Sequence, residues 1–263
     1  MNKIAFIVEG TKREPSIIKN MGNIFFRNTQ VMEIILPAGQ NIYMLWKILN
    51  EDDFQTDIIE VLKEQSNKIA DILGDLSRDD FAEVYLFFDY DGHQNNLHDQ
   101  ERNTDVIEKM LQSFDNETET GKLYISYPMI EALRDFKPDT CACHTSCYWE
   151  IAKSDIYKNL SSGFVQSDRL GQYDIDQWQV ILNHFAKRVS CMFDKEKMVS
   201  FEEYRKEMDA YRIYQVQKIY IEQGQVFVLS AIPEFLLDYH RIAFWHRFIK
   251  KNLLAPGNCE KQA

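Results

Sequence analysis

The run Val84-Tyr85-Leu86-Phe87-Phe88 leads straight into Asp89-Tyr90-Asp91, and Gly92 then turns the chain ahead of His93. An apolar run this short, with no polar alternation, reads as a strand covered on both faces, the pattern of a parallel sheet packed between helices. Side chains alternate along a strand, so Asp89 and Asp91 share a side and converge at the strand's carboxyl end. Open α/β sheets bind their ligands at that end. Two carboxylates meeting at a buried edge repel each other unless a proton or a cation lies between them. Magnesium suits the position, because it takes oxygen ligands and needs only a few protein carboxylates. The pair is a candidate metal site.

The chain before it has the same grammar. Ile4–Val8 is a short apolar run ending in Glu9-Gly10, and Thr11-Lys12-Arg13 forms a loop. Glu14-Pro15 then opens a helix to about Phe26, with proline early and the acid near the positive end of the dipole. Val31–Leu36 reads as a second strand. Asn41 is placed to cap a helix reaching about Leu49, and residues 57–73 carry apolar side chains at helical spacing. A further helix over Asn103–Phe114, a strand at Leu123–Ser126 and a helix from Pro128 through Leu133 and Phe136 follow. Strand and helix alternate over residues 1–136, which predicts an α/β fold with a parallel sheet flanked by helices. Residues 148–255 are mostly helical in period, and only Gln225–Leu229 reads as a strand. The expected organisation is an α/β domain over 1–140 and a mainly α-helical extension over 141–263. In a parallel sheet Glu9 and the aspartate pair lie at one edge, and Glu131 in the next helical turn is within reach of it. Carboxylate-held Mg²⁺ there supplies what phosphoryl transfer requires. Lys12 and Arg13, in the loop beside Glu9, are the cations a substrate phosphate would meet.

These residues resemble a known family. Ile7-Val8-Glu9-Gly10 after a first strand, then Phe87-Phe88-Asp89-Tyr90-Asp91 after a later one, is similar to the Toprim domain of topoisomerases, bacterial primases and a set of nucleases. Glu9-Gly10-Thr11-Lys12-Arg13-Glu14-Pro15 with Pro128-Met129-Ile130-Glu131 is similar, more narrowly, to the RloB-like and overcoming-lysogenization-defect-type Toprim proteins of bacterial phage defence. The resemblance covers residues 1–136. It implies that Glu9 is a metal ligand or general acid/base, that Asp89 and Asp91 bind Mg²⁺ or Mn²⁺, and that Glu131 is a further acidic member. It implies a metal-dependent nuclease acting on RNA, tRNA or DNA. The chain lacks a recognisable domain with the nucleophilic tyrosine of topoisomerases, which leaves hydrolysis or nucleotidyl transfer.

Two other readings use the same residues. In a haloacid-dehalogenase-like phosphatase Asp89 is the nucleophile and Asp91 the general acid, although that motif usually follows the first strand and here follows the third. Alternatively the core is a non-catalytic subunit that docks to an ATPase. A homo-oligomer is compatible with each.

Composition narrows the field. The 263 residues are 45% hydrophobic and 27% charged, enough to bury a core, and the net charge of −11 argues against a protein that coats nucleic acid through a general cationic surface. No apolar run is long enough to cross a bilayer, and Glu9 interrupts any signal-like start, so a cytoplasmic protein is expected. Cys141-Ala142-Cys143-His144-Thr145-Ser146-Cys147 holds four soft donors, but so tight a run does not easily wrap one tetrahedral zinc, and ordinary thiols are the expectation. The remaining features have plain explanations. Glu14 answers the helix dipole, and His93 is a surface turn residue. Residues 51–53 and 115–119 are solvated turns. Residues 240–251 read as a basic, aromatic-rich helix that turns Phe244, Trp245 and Phe248 inward with its cations at the negative helix end, the alternative being a face laid against RNA or DNA.

Overall fold

Both predicted apolar runs become central strands. In β1 (Lys3–Val8) and β3 (Glu83–Asp89) every residue from Ile4 to Val8 and from Val84 to Phe88 is buried, so no position alternates to solvent and both faces are covered. β1 runs parallel to β2 (Gln30–Ile35) on one side and to β3 on the other, with Val8 level with Ile35 and with Phe87. β5 (Gly121–Ser126) and the two-residue β4 (Asp115–Asn116), which is antiparallel to β5, complete a five-stranded, mostly parallel sheet of order β2-β1-β3-β5-β4. The ring of Phe6 in β1 meets Phe26, Tyr85 and Phe87 edge-on, with centroids 6.0, 5.9 and 5.6 Å away. The computed structural model describes residues 3–37, 41–90, 103–135, 147–161, 171–195 and 198–249. It divides into two units, Met1–Phe88 with Glu101–Tyr124, and Asp89–Gln100 with Ile125–Ala263.

The helices that flank the sheet are α1 (Arg13–Phe25), α2 (Ile42–Glu51), α3 (Ile58–Gln65), α4 (Asn67–Leu73) and α5 (Asn103–Ser113). The side chains of Asn41 and Asp57 accept backbone N–H groups at the starts of α2 and α3, which is why those helices begin where they do. The helical period over 57–73 leads one to expect a single helix, but there are two. Ser66 takes an extended backbone and its hydroxyl accepts the Ile69 N–H, so a side chain that competes for backbone bonds starts a new helix. Asp115 and Asn116 form an edge strand rather than only a solvated turn, and Asn116 Oδ1 accepts both the N–H and the hydroxyl of Thr118 to close the turn that follows. Gly121 then enters β5 at φ +103°, where a Cβ would fall 2.7 Å from the Leu86 side chain. Glycine is needed for that close approach to the central strand.

The second unit is largely helical, as expected, with α6 (Ser154–Leu160), α7 (Ile175–Met192), α8 (Phe201–Glu207), α9 (Ala210–Ile221) and α10 (Ala231–Phe248). The helix expected from Pro128 is a short 3-10 turn over Ile130–Arg134. β7 (Gln225–Phe227) falls within the predicted strand and pairs antiparallel with β6 (Tyr148–Glu150), which hydrophobic pattern did not reveal in three residues. The basic helix read over 240–251 is the end of α10, and its backbone leaves helical geometry at Arg241 (φ 61°). Phe244, Trp245 and Phe248 are buried there, as the amphipathic reading requires. Among the described residues no helix is long and apolar enough to cross a membrane.

A buried ion pair organises the interior of this unit. Arg188 of α7 donates Nη2–H to Asp135 Oδ1 (3.2 Å) and Nη1–H to the Val228 carbonyl (2.9 Å), while the Tyr157 hydroxyl donates to Asp135 Oδ2 (3.1 Å). Asp135 thus takes a bond on each oxygen, which is what a buried carboxylate requires. His184, one turn before Arg188, is held well below the usual histidine range by burial, reinforced by the charges of Arg188 and Lys187. Below about pH 6.5 the unfolded chain takes up a proton that native His184 refuses, so stability falls as pH drops, by about 1.4 kcal/mol per pH unit. Burial lowers His240 too, to about 4, so urea unfolding between pH 7.5 and about pH 5 should show a loss at least that steep, and a folded His184→Gln variant should show a shallower one.

Candidate metal centre

The loop after β1 is built around two glutamates. Glu9 follows the last residue of β1 and is half-buried, and its Oε1 accepts the Ile42 N–H at 2.7 Å. Ile42 is the first residue of α2, so the Glu9 carboxylate stands at the positive end of a helix that Asn41 also caps. This contact spans 33 residues of chain and fixes one oxygen of Glu9. An ionised carboxylate has further acceptor positions beyond a single hydrogen bond.

Gly10 explains the turn that follows. A Cβ there would fall on the carboxylate of Glu14, so the Glu14 side chain lies over the bare backbone of Gly10. Glu14 is buried at 8% exposure. The reading of Glu14 as an ordinary acid answering the helix dipole is therefore incomplete, because such an acid has no need to be buried. Glu33 of β2 shows the electrostatic consequence. Its carboxyl is raised above the usual range by burial and then by the negative charge of Glu14. The sequence did hold a signal for Glu14, namely a glycine directly after Glu9 and an acid in the next helical turn, a pairing that lets a carboxylate fold back over the chain.

The other predicted residues are placed as follows. Asp89 is the last residue of β3 and is half-buried. β1 and β3 are parallel neighbours with Val8 level with Phe87, so Glu9 and Asp89 leave the sheet at its carboxyl end. Lys12 is exposed at the N-cap position of α1, and Arg13, half-buried, is that helix's first residue. Glu131 is 2% exposed in the 3-10 turn of the second unit. Asp91, His93, Cys141, Cys143 and His144 lie outside the described residues. Cys147 is buried and not part of a disulfide. Among the described residues, which exclude Asp91, no group of three or more His, Cys, Asp or Glu side chains is arranged to hold one ion.

No family model, curated protein or solved structure matches the chain.

The described strand-end candidates, Glu9 and Asp89, carry hard carboxylate oxygens, the donor chemistry that suits Mg²⁺ or Mn²⁺ rather than zinc or copper. Replacing Glu9 separates its two roles. Glu9→Ala leaves the Ile42 N–H without its acceptor and should cost about 1 kcal/mol of stability. Glu9→Gln keeps an oxygen there and should unfold within about 0.5 kcal/mol of the parent in urea.

Proposed function

We propose that the chain is a Mg²⁺-dependent nuclease of the Toprim kind, hydrolysing phosphodiester bonds of RNA, tRNA or DNA in the cytoplasm as an effector of phage defence. The observation that carries the reading is the placement of Glu9 and Asp89 at the carboxyl ends of adjacent parallel strands, each preceded by a fully buried run. The carboxyl-end edge of an α/β sheet is where a ligand is expected, and carboxylates there are the groups that attract a hard cation. Glu9, Asp89 and Asp91 are the residues that would hold it. When bound, the ion supplies an activated water and offsets the charge of the scissile phosphate.

The remaining residues have supporting parts. The Ile42 N–H orients Glu9, as a second layer of hydrogen bonds orients ligands generally. Glu14, buried over Gly10, adds negative charge beside the Glu9 loop, which strengthens cation binding there. Lys12, exposed on the same loop, is free to meet a substrate phosphate. Glu131 is a further acidic member on the resemblance to Toprim proteins. A net charge of −11 fits an enzyme that meets its polyanion locally through metal and a few cations.

The test is cleavage of plasmid DNA, total RNA and tRNA by the purified protein with Mg²⁺ or Mn²⁺, beside Asp89→Ala and Glu9→Gln. The expected result is divalent-dependent cleavage of one substrate class, abolished by chelation and by either substitution. Cleavage that persists in Asp89→Ala at the parental rate, or no cleavage of any substrate by folded parent protein, overturns the reading.

A further inference from the structure

Charge on α1 is sorted by face. Lys12, Ser16, Lys19 and Asn23 follow the i, i+4, i+7, i+11 spacing that lines residues up on one side of a helix, and Lys12, Lys19 and Asn23 are exposed. Arg27, exposed just past the helix end, is tied back to it, its Nε–H donating to the Asn23 carbonyl at 3.3 Å. The opposite side holds Glu14, Ile17, Ile18 and Met21, all buried. Between Thr11 and Gln30 the chain carries four cations, Lys12, Arg13, Lys19 and Arg27, against one acid, Glu14, and that acid lies on the inner side. Glu33 of the adjoining β2 lies within reach of the Glu14 charge, again on that inner side. Lys12, Lys19 and Arg27 form no ion pair among the described residues, so their charge is presented outward. In a chain of net charge −11 this is a local reversal of sign. The stripe begins three residues after Glu9 and belongs with it to one unit.

We infer that this face of α1 is a docking surface for a double-helical nucleic acid, held by its phosphates. The inference rests on the nuclease reading above for the kind of polyanion and narrows its substrate to a duplex. Lys and Arg side chains neutralise phosphates, and Ser and Asn side chains add hydrogen bonds to the same oxygens. From Lys12 to Asn23 the stripe is about 16 Å long at a rise of about 1.5 Å per residue. A straight, rigid row of this kind suits the regular backbone of a duplex. A site for an unpaired strand adds exposed aromatic rings on which bases stack. α1 lacks them, since Phe25 is half-buried and Phe26 buried. Docking on a lipid surface needs apolar side chains turned outward beside the cations, and those of α1 are turned inward.

Fluorescence anisotropy of a labelled DNA duplex of about 20 base pairs, titrated with the full chain in EDTA at several salt concentrations, tests this without cleavage intervening. Lys19→Gln and Arg27→Gln should each make the slope of log affinity against log salt shallower by about 0.9, and the double variant by about 1.8. Lys68→Gln, at an exposed lysine of α4, should keep the parental slope. A single strand of the same sequence should bind more weakly than the duplex. The parental slope in the double variant, an equal loss in Lys68→Gln, tighter binding of the single strand, or capture by phosphatidylserine vesicles without duplex binding overturns the inference. Any of these beside divalent-dependent cleavage that Asp89→Ala abolishes leaves the nuclease reading standing. Duplex binding that weakens as expected in the double variant, by a parent that cleaves nothing, supports the surface and removes the nuclease reading instead.

Discussion

Burial of β1 and β3 on both faces is the constraint from which the rest follows. A strand with no solvent face has nowhere along its length to carry a charge, so polar chemistry is displaced to its ends. At the carboxyl ends of these strands the chain places Glu9 and Asp89, and the loop after β1 is shaped around Glu9 and Glu14. Gly10 gives up its side chain to make room for Glu14, and α2 turns its first N–H toward Glu9. The hydrophobic core and the acidic edge are two results of one pattern. The longer the apolar run, the more sharply the first polar residue after it is confined.

The second unit has its own constraints, and within it Tyr90, immediately after Asp89, is buried against Tyr127. The interior of this unit holds a polar cluster in which Asp135 bonds Arg188 and Tyr157, with His184 buried one turn from Arg188. A buried ion pair of this kind adds little net stability, because desolvation offsets most of the attraction, but it is costly to break once formed. It fixes one arrangement of α7 and the strand leading to α10, and the start of α10 in turn holds Ser126.

Much of this was legible in the sequence, for identifiable reasons. The central strands, α1, α2, α5 and the helical second half follow from periodicity that the tertiary structure has no reason to override. Asn41 and Asp57 announce helix starts through their own side-chain chemistry. What was not legible depends on contacts distant in sequence or on very short elements. Three residues at Tyr148–Glu150 carry too little pattern to be read as a strand, and only pairing with Gln225–Phe227 makes them one. Ser66 divides a helix that hydrophobic spacing alone makes continuous. At the candidate centre, Glu9 and Asp89 were visible because each ends an apolar run. The burial of Glu14 over Gly10 left a fainter mark, a glycine followed by a first-turn acid, which the helix dipole explains as well. The hold of Ile42 on Glu9, which joins residues 33 positions apart, left none.

The central claim is that Glu9 and Asp89 serve one cation. A double-mutant cycle on Mn²⁺ affinity with Glu9→Gln, Asp89→Asn and the two combined measures this directly. Ligands of a shared ion give strongly non-additive losses, so the double variant should bind little worse than the weaker single variant. Losses that simply add, or a single variant that binds as the parent does, would contradict the account.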